Sequence, residues 1–342
     1  MAREGAISEV RPARTEYLVH GIKVSVHCAH GEAMQWIHDH LNAYHMPGPA
    51  RGADVAVDIV PGDVLYPVPL HAKRLMRYSS MRVYFLGGTI WFTDYFSTLK
   101  VEDGGRTVTG NISEKSFADW GIQFFVNVMF PLAFFEALRF HGLYYMHAAG
   151  LLDGEGRGYL ISGNAGSGKT TMTLSLIHAG WKFLSDDTVF LKLGDGKDVT
   201  VLGFARDFHI PLDLVEDNNA FANLCACPDY KSYRKKKVLR PADWFPEQIM
   251  TEITNPRALV FPRIRDGEPG IEEMSGQEAL GQLISQSPAV MFNPALAKEH
   301  LEAINRLARH GRAFRLWSGP ELRTDPEKVK ELTLAVGRKT DE

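Results

Sequence analysis

Polar and apolar residues alternate in short runs over the first hundred positions of the chain. Glu16 to His27 (EYLVHGIKVSVH) alternates on both sides of Gly21, which predicts extended structure. Ala33 to Tyr44 changes period, with Met34, Ile37, Leu41 and Tyr44 at helical spacing, and HMPGPARG (45–52) breaks the pattern. Asp54 to Val60 (DVAVDIV) again reads as a strand. Two hairpins follow: Arg82 to Leu86 and Thr89 to Phe92 flank Gly87-Gly88, and Leu99 to Val101 and Arg106 to Thr109 flank Asp103-Gly104-Gly105. Together these segments predict a small α+β region.

Ser116 to Phe140 predicts mostly helix, kinked at Pro131. Its stretch Phe124 to Phe140 is the most apolar in the chain, but Asn127, Pro131, Glu136 and Arg139 interrupt it. A membrane span needs about 20 mostly apolar residues, so the reading is a buried helix whose Phe124, Phe125, Phe130, Phe134 and Phe135 pack a core. Beyond it the pattern becomes β-loop-α-β. Gly158 to Ser162 reads as an apolar strand, Lys169 to Ala179 as a helix and Trp181 to Leu193 as a strand. This places a boundary near residue 141, between an N-terminal α+β domain (1–140) that would choose a substrate or partner and a second domain (141–342). Pro294 to Arg309 is amphipathic, with Ala297, Leu301, Ile304 and Ala308 on one face, and Gly311 stands where a C-cap glycine belongs.

Composition adds exclusions. The 342 residues are 45% hydrophobic and 23% charged, which is ordinary for globular proteins and excludes a disordered chain, a collagen repeat or a disulfide scaffold. A net charge of −3 gives no global argument for nucleic acid or an anionic membrane. The only cysteines, Cys28, Cys225 and Cys227, point to a reducing compartment. MAREGAISEVRPARTEY has no apolar core of a signal peptide, so the expected location is cytoplasmic.

Residues 163–170 read GNAGSGKT and match G-x-x-x-x-G-K-[ST], the Walker A pattern, at every fixed position. Glycines let consecutive backbone N–H groups line an anion nest, and the following helix turns its positive dipole end to the phosphates. Gly163, Asn164, Ala165, Gly166, Ser167, Gly168, Lys169, Thr170 and Thr171 are therefore the expected ATP-binding residues. Lys169 would reach the β- and γ-phosphates, and the Thr170 hydroxyl would help hold Mg²⁺. The bland alternative is a glycine-rich turn with a chance lysine. The apolar strand before the loop and the helical pattern after it favour the functional reading.

Such a loop needs acids. Asp186 and Asp187, in WKFLSDDTVFL, are the nearest downstream. Adjacent residues of a strand face opposite ways, so both serve one site only if the backbone bends between them. The alternative is a polar turn between two short strands.

Residues 163–187, GNAGSGKTTMTLSLIHAGWKFLSDD, resemble the catalytic core of HPr kinase/phosphorylase and its relatives, and that core is similar to the core of phosphoenolpyruvate carboxykinase. Weaker similarity to divergent bacterial HPr-kinase-related proteins extends through Ala258 to Arg263 and Met274 to Leu283. The resemblance implies an α/β chain (α+β overall), with that phosphate-loop core behind a smaller α+β domain. It implies Asp186 as general base, with His147, on the strand before the loop, nearby. It implies Thr170 and Asp187 as metal holders, and a homo-oligomer. The family's glutamate-valine-arginine-glycine run is absent. The nearest segment is Gly203 to Asp213, where Arg206 is a candidate for the missing cation.

Lys231 to Arg240 (KSYRKKKVLR) carries six basic residues in ten. It reads either as a solvated loop or as a basic lid over phosphate, with Lys237 and Arg240 as the candidate contacts. It is too short, in a chain not basic overall, to argue for nucleic acid. Cys225 and Cys227 have too few neighbouring ligands for zinc, and His38 and His40, two apart, face different sides of a helix. His209 and Asp213 read equally as acceptor-pocket or loop residues. The reading that follows is an ATP- and Mg²⁺-dependent kinase acting on a hydroxyl of a protein, peptide or small molecule. The rivals are an ATP-binding regulatory or assembly protein with little transfer, and a carboxykinase-like enzyme.

Overall fold

A computed structural model describes residues 14–48, 52–63, 65–117, 121–230, 235–319, 322 and 325–341. The opening segment read for a leader (1–13), part of the helix-breaking HMPGPARG, residues 118–120 of the long helix and residues 231–234 of the basic run lie outside the described residues. The chain has a mixed α/β fold and divides into two compact units, 1–133 and 134–342.

The first unit is built on one nine-stranded sheet. Its strands are β1 (Thr15–Val19), β2 (Ile22–Cys28), β3 (His45–Met46), β4 (Val55–Pro61), β5 (Lys73–Tyr78), β6 (Met81–Leu86), β7 (Thr89–Thr93), β8 (Thr98–Glu102) and β9 (Thr107–Ile112). They lie in the order β3-β1-β2-β4-β9-β8-β7-β6-β5. The alternation read around Gly21 is a β1–β2 hairpin, turning at His20 (φ 50°) and Gly21 (φ 89°). Gly87 (φ 58°) and Gly88 (φ 88°) close the β6–β7 hairpin with the left-handed pair that matches strand twist. Strand β4 buries Val55, Val57 and Ile59 completely, as its period of two requires. The helix Gly31–Leu41 links β2 to the parallel β4 and buries Ala33, Ile37 and Leu41.

The helix Ile122–Arg139 begins in the first unit and ends in the second. It is long and apolar enough to cross a membrane by length and composition alone, yet most of it is buried. It runs through Pro131 by way of a π turn at Phe125–Met129, which widens the ladder just where the proline ring would meet the preceding turn.

The second unit stacks two sheets and a ribbon. A six-stranded sheet has the order β13-β11-β12-β19-β21-β20, from β11 (Ala148–Leu152), β12 (Gly158–Ser162), β13 (Lys182–Ser185), β19 (Ala258–Ile264), β20 (Gly270–Glu273) and β21 (Arg312–Ser318). A four-stranded sheet joins β10 (Tyr144–Met146), β14 (Val189–Leu193), β15 (Val199–Gly203) and β18 (Glu252–Thr254). A ribbon joins β16 (Phe208–Pro211) and β17 (Lys236–Leu239). β12, β19 and β21 run parallel at the centre, and β12 and the first five residues of β19 are buried on both faces. Tyr159, Ile161 and Val260 pack with Leu174 and Ile177 of the helix Lys169–His178 and Val336 of the helix Pro326–Thr340. On the other face Leu160, Leu259 and Phe261 pack with Leu283, Ile304 and Leu307 from the helices Gly276–Ser285 and Pro294–His310.

Three expectations change. The helix Pro294–His310 buries His300, Ala303, Ile304 and Leu307, while Leu301, read on its apolar face, is exposed. Trp181 to Leu193 is not one strand: β13 ends at Ser185 and β14 begins at Val189 in the other sheet. Gly311 follows its helix with φ −93°, so it is no left-handed cap. A Cβ there would lie 2.6 Å from Cγ of Leu259, so its requirement is close packing against β19.

Candidate active site

Strand β12 delivers the loop 163–168 to the carboxyl end of the parallel strands, where open α/β sheets bind ligands. Gly166 (φ 81°) and Gly168 (φ 96°) adopt left-handed backbone. Gly163 is tight as well: a Cβ there would lie 2.9 Å from Oγ of Ser167. Ser167 N donates to the Asn164 carbonyl (3.1 Å), and the helix Lys169–His178 starts directly after Gly168. Lys169 is 7% exposed and folds back over the loop, its ammonium donating to the carbonyls of Gly163 (2.5 Å) and Asn164 (3.3 Å). Burial lowers its proton affinity, against the opposing pull of Asp187 and Asp186.

The turn that separates β13 from β14 carries Asp186 and Asp187, and Ser185 Oγ accepts from Thr188 N (3.2 Å) across it. The bend lets two adjacent carboxylates line the same cavity. Thr170 Oγ1 donates to Asp186 Oδ2 (3.2 Å), and Thr188 Oγ1 donates to Asp187 Oδ1 (2.7 Å). The pair splits in proton affinity. Burial and the neighbouring Asp187 charge push Asp186 up to about 7. Burial also opposes ionisation of Asp187, but Arg206, His147, the Thr188 hydroxyl and His209 outweigh it and hold that carboxyl below its usual range.

His147 sits between β10 and β11, one strand earlier than the strand that feeds the loop. It lines the same cavity. Its Nδ1 lies 2.8 Å from the Asp187 carbonyl oxygen, which can only accept, so Nδ1 carries the proton and Nε2 is the basic nitrogen. Burial lowers its proton affinity. Gln286, which sequence reading passed over, ties two parts of the site together. Its side chain donates to Asn164 Oδ1 (2.8 Å) and its carbonyl accepts from His147 N (2.9 Å). Nothing local in the sequence marks it, because the contact spans 122 positions.

The cavity has a volume of about 640 Å³ and takes in the loop, both aspartates and His147. On the β19–β21 side its wall includes Ile264, Arg265, Leu316 and Leu322; on the ribbon side it includes His209, Pro211, Asp213 and Lys236. Of the basic run, Lys236 faces the cavity. Lys237 instead pairs with Asp229 (2.8 Å), and Arg240 faces Asp207 (3.8 Å). Arg206, half-buried, acts on both aspartates. Thr170 and the two carboxylates form a set of hard oxygen donors beside the glycine loop, which fits Mg²⁺.

The sequence matches no family model, and no curated protein matches it. Among solved structures it is similar to the HPr(Ser) kinase/phosphatase from Coxiella burnetii, at 12% identity and a TM-score of 0.32, over 58% of this chain and 99% of that one.

Proposed function

We propose that this chain is an ATP- and Mg²⁺-dependent kinase that transfers the γ-phosphoryl group to a hydroxyl acceptor. The observation that carries the reading is the meeting, in one cavity, of a glycine loop with left-handed Gly166 and Gly168 and a carboxylate pair of divergent proton affinity. The loop N–H groups and the start of the helix hold the phosphates. Lys169 exchanges its bonds to Gly163 and Asn164 for phosphate oxygens and neutralises charge that develops during transfer. Thr170 and Asp187 would hold Mg²⁺, which supplies charge neutralisation on the phosphates when bound. Asp186, with a proton affinity near neutrality, accepts the acceptor's hydroxyl proton. His147 orients the turn through its bond to the Asp187 carbonyl.

One observation favours a second allocation. Thr170 bonds to Asp186, not Asp187, so Asp186 would be the metal holder and Asp187 the base. The two versions differ in pH dependence.

The test is a transfer assay with γ-labelled ATP, Mg²⁺ and extract of the source cells, with the labelled product identified by mass spectrometry. The expected result is a labelled product that disappears with Lys169→Ala. Nucleotide binding with no labelled product would favour a regulatory ATP-binding protein.

A further inference from the structure

The cavity continues past Asp187 to the β16–β17 ribbon. Register pairs Pro211 with Lys236 and His209 with Val238. Strand alternation therefore sets His209, Pro211 and Lys236 on one face of the ribbon, while Phe208, Ile210 and Leu239 on the other enter the core. The core face fixes the ribbon, and the ribbon fixes the polar face. His209 is further held by stacking on Tyr230, with ring centroids 4.1 Å apart. Arg206, two residues before β16, acts on both aspartates, while Asp213 adds one carboxylate to the ribbon side of the cavity. The phosphate loop already has Lys169 and its own N–H groups for the triphosphate. Asp186 lines the cavity and is only 6% exposed, which suits a compound small enough to reach it.

We infer that the acceptor is a small hydroxyl compound that carries an anionic group, phosphate or carboxylate, and that Lys236 and His209 hold that group. The inference rests on the kinase reading. In the transfer the acceptor oxygen forms its bond to the γ-phosphorus, and the bond from that phosphorus to the β–γ bridging oxygen breaks. The hydroxyl proton goes to the aspartate base, and ADP leaves. An ion pair across the cavity to Lys236 sets the distance between the anionic group and the reacting hydroxyl.

The test uses the full chain, Mg²⁺ and a non-hydrolysable ATP analogue, with binding followed by calorimetry. The analogue is titrated first, and its failure to bind overturns the kinase reading by itself. Glycerol 3-phosphate, glycerate and glycerol are then titrated with and without analogue, so the anion preference is read in either case. The expected result is that glycerol 3-phosphate or glycerate binds about tenfold or more tightly than glycerol. The anionic probe that binds better tells phosphate from carboxylate. Lys236→Met should weaken that probe about fivefold or more, and Lys236→Arg should retain it. No preference for either anionic probe, or a preference that survives Lys236→Met, overturns the inference. So does phosphorylation of an acidic serine peptide, with no anion preference among the small probes.

Discussion

Thr170 Oγ1 donates a hydrogen bond to Oδ2 of Asp186 over 3.2 Å, tying the first turn of the helix after the glycine loop to the turn between β13 and β14. Those two segments belong to different parts of the chain's pattern, and the bond is where they become one site.

The pair of aspartates predicts a pH profile. If Asp186 is the base, turnover of ATP should rise through pH 7 with the slope of one proton, because the carboxyl must be ionised to accept one. A profile flat from pH 6 to 8 would instead favour Asp187, which is held below the usual carboxylate range. Rates across that interval, at saturating nucleotide, decide between them.

The same burial predicts a stability effect. Asp186 has a raised proton affinity in the fold, so the unfolded chain loses that proton first as pH rises. Stability is therefore lost from the ordinary carboxylate range near 3.8 up to about 7, and the deficit stays constant above it. Asp186→Asn should raise the melting temperature at pH 8, by an effect on the order of 1–3 kcal/mol, and do little at pH 4. Thermal melts of both proteins at the two pH values check the sign.

Gly168 has φ 96°, where a side chain is strained. Gly168→Ala should cost about 1–2 kcal/mol of stability. It should also weaken ATP-analogue binding more than the lost stability accounts for, because the strained position points the loop's N–H groups. Melting and calorimetry on one protein sample separate the two effects.

Away from the site, Glu136 and Arg139 form an ion pair at 2.5 Å with both side chains fully buried. Arg139→Met alone leaves a buried carboxyl without its partner and should cost about 3–5 kcal/mol. Glu136→Leu with Arg139→Met should recover most of that loss, as read by denaturant unfolding.

The hairpins at Gly87-Gly88 and Asp103-Gly104-Gly105 were legible because turn residues and period two are local signals. The strand, glycine turn and helix over residues 158–178 were legible because an apolar run, clustered glycines and helical spacing are local signals. What stayed hidden depends on register or on distant contacts. Lys236 and Lys237 are chemically alike, and only the pairing of Pro211 with Lys236 tells which one faces the cavity. The Asp186-Asp187 pair marks a bend or turn within the run Trp181 to Leu193, but nothing local says that the chain changes sheets there. Gly311 looked like a cap because its crowding against Leu259 comes from a strand about 50 residues away in sequence.

The most direct measurement is cleavage of the γ-phosphate of ATP by the purified chain with Mg²⁺, compared with Lys169→Met. The account predicts measurable turnover by the parent chain and a loss of about 100-fold or more in the variant, with the fold intact by circular dichroism. Equal turnover by the two proteins, or ATP bound by the parent chain with no γ-phosphate cleaved or transferred, would contradict it.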